Sequence, residues 1–115
     1  MMSLQSKLIR IGQALAEITP NCKHYYRAVK NPPFLCWAED GEGESFNSGN
    51  HKTEQVISGS VDFFTLTEFD PLVDDVQNKL DVLGLAWRLD SVDYEEDTNL
   101  IHYSWTFEVA DIGEH

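Results

Sequence analysis

Hydrophobic residues recur at helical spacing in two segments of the chain. Across residues 3–18 they lie three or four positions apart, so they form one stripe along an amphipathic helix. A second helix is predicted over about 71–83, because Asp70 precedes a proline suited to the first helical position and Gly84 follows the last turn. The polar residues of the first helix, which we expect to be solvated, are Gln5, Lys7, Arg10, Gln13 and Glu17.

Five other segments are rich in β-favouring residues and are predicted to be strands. The last strand has the clearest alternation, with Trp105 and Phe107 on an inward face and His102 on an outward face. The alternation of apolar residues shifts after Leu89, which predicts a bulge or a change of partner strand near Asp90. The predicted strands cover residues 24–29, 34–38, 56–66, 85–94 and 101–109.

The order of these elements indicates the α+β class. Short connections between consecutive strands favour antiparallel pairing, and two helices with one apolar stripe each can cover one side of a sheet. We therefore expect an antiparallel five-stranded sheet with two helices packed on one face, in the chain order α-β-β-β-α-β-β. No repeat or linker divides the sequence, so residues 1–115 are expected to form a single domain.

One long polar segment interrupts this pattern at about residues 39–55. It has almost no hydrophobic residues, and Phe46 is its only large apolar side chain. The segment is either a mobile loop or an extended hairpin arm. Because long polar segments inside a compact domain are often functional, we treat this polar arm as a candidate contact surface.

The charge of the chain narrows the possible partners. Eight Lys and Arg residues stand against twenty Asp and Glu residues, which gives a net charge of −12 and a pI near 4.4. Such a surface repels nucleic-acid phosphates and anionic lipids, so we expect neither specific nucleic-acid binding nor membrane binding. The N-terminal residues show no pattern of a secretion signal, and the chain is expected to be cytoplasmic before any assembly.

No motif in the sequence predicts catalysis, a cofactor or a metal site. Cys22, His24 and Cys36, with His51 as a fourth ligand, lack the paired spacing of a zinc site, so free packing thiols are expected. The acidic turn at 93–97 lacks the glycine and the final bidentate acid of a calcium loop. No Gly-x-Ser-x-Gly motif is present, and we predict that the protein is not an enzyme.

The chain resembles the small tail-completion proteins (tail terminators) and head-tail joining proteins of tailed phages and prophages. The resemblance extends from about Leu4 to Val109 and rests on strand and turn segments, not on a chemical signature. These segments are Pro32-Pro33-Phe34-Leu35-Cys36-Trp37, Phe46-Asn47-Ser48, Val61-Asp62-Phe63-Phe64-Thr65, Asp70-Pro71-Leu72-Val73 and Ile101-His102-Tyr103-Ser104-Trp105-Thr106-Phe107-Glu108.

This resemblance implies a non-enzymatic virion assembly protein located at the head-tail junction. It implies a ring homo-oligomer, commonly a hexamer, that caps the tail tube and docks to the head connector, with the tail tube protein and the connector protein as partners. Tail completion, head completion and an adaptor role all remain open. The subunit contacts that we predict in the arm are Phe46, Asn47, Asn50 and His51, and the predicted acidic lumen or turn residues are Asp93, Glu95, Glu96 and Asp97.

Two other classes of protein remain as alternatives. An acidic monomer that mimics DNA or inhibits a host nucleic-acid enzyme would explain the net charge directly, and it would carry carboxylates spaced like phosphates. A small hydrolase or metal enzyme would need a concave pocket with ionisable side chains of shifted pKa.

Overall fold

The computed structural model describes residues 3–25, 30–43 and 55–110. The first predicted strand, over 24–29, begins earlier than expected, and positions 26–29 lie outside the described residues. The elements are helices α1 (Leu4–Ala16) and α2 (Leu72–Val82) and strands β1 (Cys22–His24), β2 (Phe34–Glu42), β3 (Ile57–Thr65), β4 (Ala86–Glu95) and β5 (Leu100–Val109).

The five strands form one mixed sheet in the order β1-β2-β3-β5-β4. Three of the pairings are antiparallel, but β1 runs parallel to β2, so the expectation of a purely antiparallel sheet is wrong. The physical reason is the connection between these two strands. Cys22 at the start of β1 lies opposite Leu35 at the start of β2, so residues 25–33 return the chain to its starting end, which a tight hairpin does not do.

Local hydrogen bonds fix both ends of α2. The Asp70 carboxylate accepts the backbone N–H of Leu72 at 2.9 Å and the hydroxyl of Thr65 at 2.6 Å, which ties the start of α2 to the end of β3. At the other end Gly84 has a φ of +77°, and the Leu85 N–H donates to the Leu80 carbonyl at 3.0 Å. A residue with a side chain is strained at that φ, so glycine ends the helix as the sequence predicts.

Both helices pack against one face of the sheet, here called the helix face. Gly59 allows close packing there, because a Cβ at this position would lie 2.4 Å from the Ala38 carbonyl oxygen. Lys7 departs from its prediction, since it is fully buried and its Nζ donates to the Gln55 carbonyl at 2.5 Å. The fully buried apolar residues of this core include Ile11, Leu15, Leu35, Val61, Phe63, Val76, Leu80, Trp105 and Phe107.

The predicted bulge near Asp90 is confirmed. The register of β4 against β5 shifts between Leu89 and Ser91. After the shift, Val92 lies opposite Tyr103, so the bulge keeps the apolar positions of β4 on the helix face. Without it, the second half of β4 would turn these side chains to the other face.

The base of the polar arm is part of the sheet. Residues 39–42 belong to β2, and the Gly43 N–H donates to the Val56 carbonyl at 2.8 Å. The register of β2 shifts between Glu39 and Gly41, where the partner strand has Gly59. Of the two alternatives for the arm, these contacts favour a hairpin at its base, and residues 44–54 lie outside the described residues.

Candidate assembly surfaces

The predicted contact residues fall into two groups in the structure. Phe46, Asn47, Asn50 and His51 lie outside the described residues, and their role stays a prediction. The acidic group lies at the end of the β4–β5 hairpin, and all four side chains are exposed: Asp93 and Glu95 on β4, and Glu96 and Asp97 in the turn.

The turn that carries these acids is held by its own hydrogen bonds. The Asn99 N–H donates to the Glu95 carbonyl at 2.8 Å, and the Tyr94 hydroxyl donates to the Asn99 side-chain oxygen at 2.8 Å. Asn99 has a φ of +62°, a conformation that asparagine tolerates better than most residues. The carboxylates are therefore presented from a tightly bonded turn.

Strand β4 forms one edge of the sheet, and only its first half is covered. The Trp87 indole donates to Asp81 of α2 at 2.8 Å, which anchors that half. Farther along, Leu89, Val92 and Tyr94 point to the helix face yet are 40%, 50% and 60% exposed. A long edge strand with exposed apolar side chains is a common site of association.

The opposite edge is formed by β1, where aromatic rings stack around a histidine. The His24 ring lies between the rings of Tyr25 and Trp37, with centroid distances of 3.8 and 3.9 Å. His24 Nε2 lies 2.7 Å from a carboxylate oxygen of Glu39, and the Tyr25 hydroxyl donates to the other oxygen. Burial by itself raises the pKa of Glu39, but these hydrogen bonds outweigh burial, and the pKa is lowered.

An open groove runs between this aromatic stack and α1. Gly12 lies at its centre, and a Cβ there would meet the Trp37 ring at 3.0 Å. Ile9 is 57% exposed and Tyr25 is 61% exposed at the two sides of the groove. The β1 edge therefore also presents apolar surface to solvent.

The registers place these two edges at the same level of the sheet. Successive partner positions across the five strands are Lys23, Cys36, Asp62, Ser104 and Ser91. With strand spacings of about 4.8 Å, the two edge strands stand about 19 Å apart. The β1 edge and the bulged part of β4 are therefore opposite ends of one row.

The charge is distributed unevenly along the chain. Residues 1–30 contain five Lys or Arg residues and one acidic residue, whereas residues 31–115 contain three Lys or Arg residues and nineteen acidic ones. Within this distribution, residues 20–33 carry three bases and no acid, and residues 89–99 carry five acids and no base. Among the described residues, the β1 edge carries Lys23 and Lys30 with Glu39 beside it, whereas β4 and its turn carry five acids and Arg88, so the β4 edge is much the more acidic.

The face of the sheet that the helices do not cover, here called the open face, contains a buried contact between a histidine and a carboxylate that the sequence pattern does not indicate. His102 Nε2 lies 2.7 Å from an Asp62 carboxylate oxygen, and the Asp62 side chain is only 4% exposed. The His102 ring also stacks on Phe64 at a centroid distance of 4.1 Å. Alternation predicted His102 outward but gave no signal for a partner forty residues away.

The residues considered for a metal site do not converge in the described part of the chain. Cys22 packs against the main core, whereas Cys36 lies in a second small cluster on the open face, and neither forms a disulfide. No group of three metal-ligating side chains occurs within 3–25, 30–43 and 55–110. No helix among these residues has the length and apolar character needed to cross a membrane.

Comparison with known proteins identifies a shared fold. Neither a protein-family model nor a curated protein matches the chain. Among solved structures, the chain is similar to a chain of the virion of a native gene transfer agent (GTA) particle, with a TM-score of 0.56 and 12% sequence identity. The alignment covers 96% of this chain and 96% of that chain, so the similarity extends over the whole fold.

Proposed function

We propose that this protein is a non-enzymatic virion assembly protein of a tailed phage or prophage, of the tail-completion or head-tail joining type. In this role it forms a ring homo-oligomer that caps the tail tube and docks to the head connector. The observation that carries the proposal is the full-length similarity to a chain of a virion. A shared fold does not by itself define a role, so the surfaces of the molecule have to support it as well.

The two edges of the sheet support an assembly role. A ring is built from heterologous contacts, in which two different surfaces of each subunit match. Here the β1 edge and the β4 edge face opposite sides, differ in charge and both expose apolar side chains, including Tyr25 and Val92. Two different surfaces of this kind favour assembly of the protomer into a ring over a monomeric state.

The same charge distribution argues against the DNA-mimic alternative. A mimic requires carboxylates spread over a surface at phosphate-like spacing. In this chain the acids are concentrated after residue 30, one of them, Asp62, is buried against His102, and the β1 edge is basic. Within a ring, the acidic residues would instead repel DNA that passes through the lumen.

The proposal is tested by the mass and shape of the purified full-length chain. Light scattering over a concentration series should give a closed oligomer of one size, and negative-stain electron microscopy should show rings. Added to polymerising tail tube protein, the chain should stop tube growth. A monomer at every concentration that binds a basic nucleic-acid enzyme tightly would instead support the inhibitor alternative.

The predicted contact residues of the arm can be tested in the same assay. Replacing Phe46, Asn47, Asn50 and His51 together by alanine should abolish ring formation, while urea denaturation and circular dichroism show that the variant still folds. The matched control replaces Thr67 and Glu68, which are exposed between β3 and α2, by alanine. Rings of normal stability in the arm variant would remove the arm from the proposed contacts.

A further inference from the structure

The β4 edge leaves backbone groups and apolar side chains uncovered. Its outward backbone groups have no strand partner among the described residues, and Leu89, Val92 and Tyr94 are exposed where α2 no longer covers the sheet. The acidic turn continues directly from this strand. Polar groups of an edge strand and exposed apolar side chains are both stabilised when another surface covers them.

We infer that the β4 edge of one copy packs against the β1 edge of the next copy, with Lys23 and Lys30 facing Asp93 and Glu95. This inference rests on the proposed function and specifies how neighbouring subunits of the ring meet. The occupant of each edge is thus a second copy of this chain, joined head to tail.

Charge complementarity identifies the occupant. Lys23 is an exposed residue of β1, and Lys30 is held beside the start of β1, because the Asn21 side chain donates to its carbonyl. At the opposite edge of the sheet, Asp93 and Glu95 are exposed on β4. In a chain with a net charge of −12, a basic edge attracts the acidic edge of another copy and overcomes part of the general repulsion between copies.

The two edge strands lie in the same rows of the sheet, so they can meet when two copies stand side by side. Lys23 and Ser91 end the same row across the sheet, and Asp93 ends the row two positions farther along, which runs through Phe34, Phe64 and His102. Two copies set side by side without a shift along the strands therefore bring Lys23 close to Asp93. Both side chains also lie on the open-face side of their strands.

Apolar surface is available on the other side of the same contact. Tyr25 and Ile9 are exposed beside β1 on the helix face, and Val92 and Tyr94 are exposed on the helix face of β4. Nearby, the Glu39 carboxylate contacts His24 and Tyr25 on the opposite side of the sheet from Lys23. Each edge thus combines charge toward the open face with apolar groups toward the helix face.

The inference is tested by charge reversal and mixing in the full-length chain. One variant carries Lys23→Glu with Lys30→Glu, and the other carries Asp93→Lys with Glu95→Lys. Each variant alone opposes like charges at every contact, so its self-association should weaken by about a hundredfold. An equimolar mixture restores opposite charges at both kinds of contact and should form rings of alternating subunits.

The matched control reverses Glu68 and Asp75 to lysine, since both residues are exposed and neither belongs to an edge strand. This control should assemble as well as wild type, and circular dichroism should show all variants folded. Recovery in the mixture separates a contact defect from a folding defect. An increase in ionic strength from about 0.05 to about 0.5 M should weaken wild-type assembly, because it screens the facing charges.

The possible outcomes separate this inference from the proposed function. Wild-type rings whose affinity is unchanged in both reversed variants would overturn the edge pairing and leave the assembly role in place. The same conclusion follows if the mixture fails to assemble or if the control is equally impaired. A wild-type chain that never self-associates would overturn the proposed function and this inference together.

Discussion

The two faces of the sheet are buried by different chemistry. The helix face is covered by α1 and α2, and its interior is apolar around Trp105 and Phe107, which are fully buried. No helix within the described residues covers the open face, yet Asp62 and His102 meet there beside a small cluster of apolar residues. We therefore expect the helix face to supply most of the stability and the open face to depend on the pairing of specific polar groups.

Coverage of the helix face by α1 and α2 leaves the outer sides of the edge strands available for contacts with another molecule. Because helices of the same chain close the core, no second molecule is needed to complete it. The Trp87 to Asp81 contact holds β4 to α2 only at the start of the strand. The remainder of β4 is therefore available for contacts with another molecule.

The largest expected effect breaks the helix face. Trp105→Ala removes a fully buried side chain from the centre of the core and should lower the free energy of unfolding by about 3–5 kcal/mol. The neighbouring substitution Ser104→Ala, on the open face of the same strand, is the control and should cost about 1 kcal/mol or less. Urea denaturation measures both. Similar losses at the two positions would contradict the proposed contrast between the faces.

A smaller effect is expected when the polar pair of the open face is broken. Asp62→Ala leaves the His102 ring without the carboxylate at 2.7 Å and should cost about 1–3 kcal/mol. A double-mutant cycle with His102→Ala isolates the interaction between the two side chains. A coupling energy near zero would mean that the two residues contribute to stability independently and that the open face does not depend on their pairing.

The smallest effect concerns the thiol that packs against the helix-face core. Burial, with a smaller contribution from Cys36, raises the pKa of Cys22 from 9.0 to about 11. The unfolded chain thus loses this proton at lower pH than the folded chain does. The stabilising contribution is complete below pH 9.0 and is lost as the pH rises to about 11.

This contribution is expected to be about 1 kcal/mol or less, because the half-buried thiol is partly screened by solvent. Cys22→Ser should remove it, so the stability difference between wild type and variant should shrink as the pH rises through this interval. Denaturation curves at several pH values provide the measurement. A difference that does not change with pH would show that burial does not control this thiol.

The local sequence pattern was sufficient to predict most helices and strands of this fold. Short-range spacing and turn chemistry predict the apolar stripe of α1 and the bulge near Asp90. They also predict that α2 begins just after Asp70 and ends just before Gly84. The predicted acidic turn is present and exposed. These features depend on residues a few positions apart, which is the range over which a sequence pattern carries structural information.

The sequence by itself therefore determined the α+β class, the apolar face of each element and the strong acidity of the chain. Only the tertiary structure decided that β1 runs parallel to β2, that Lys7 is buried, that Asp62 meets His102, and that Lys23 and Ser91 end one row. Each of these features depends on the register between segments far apart in the chain. Such register is set by the packing of the whole sheet, and no local pattern encodes it.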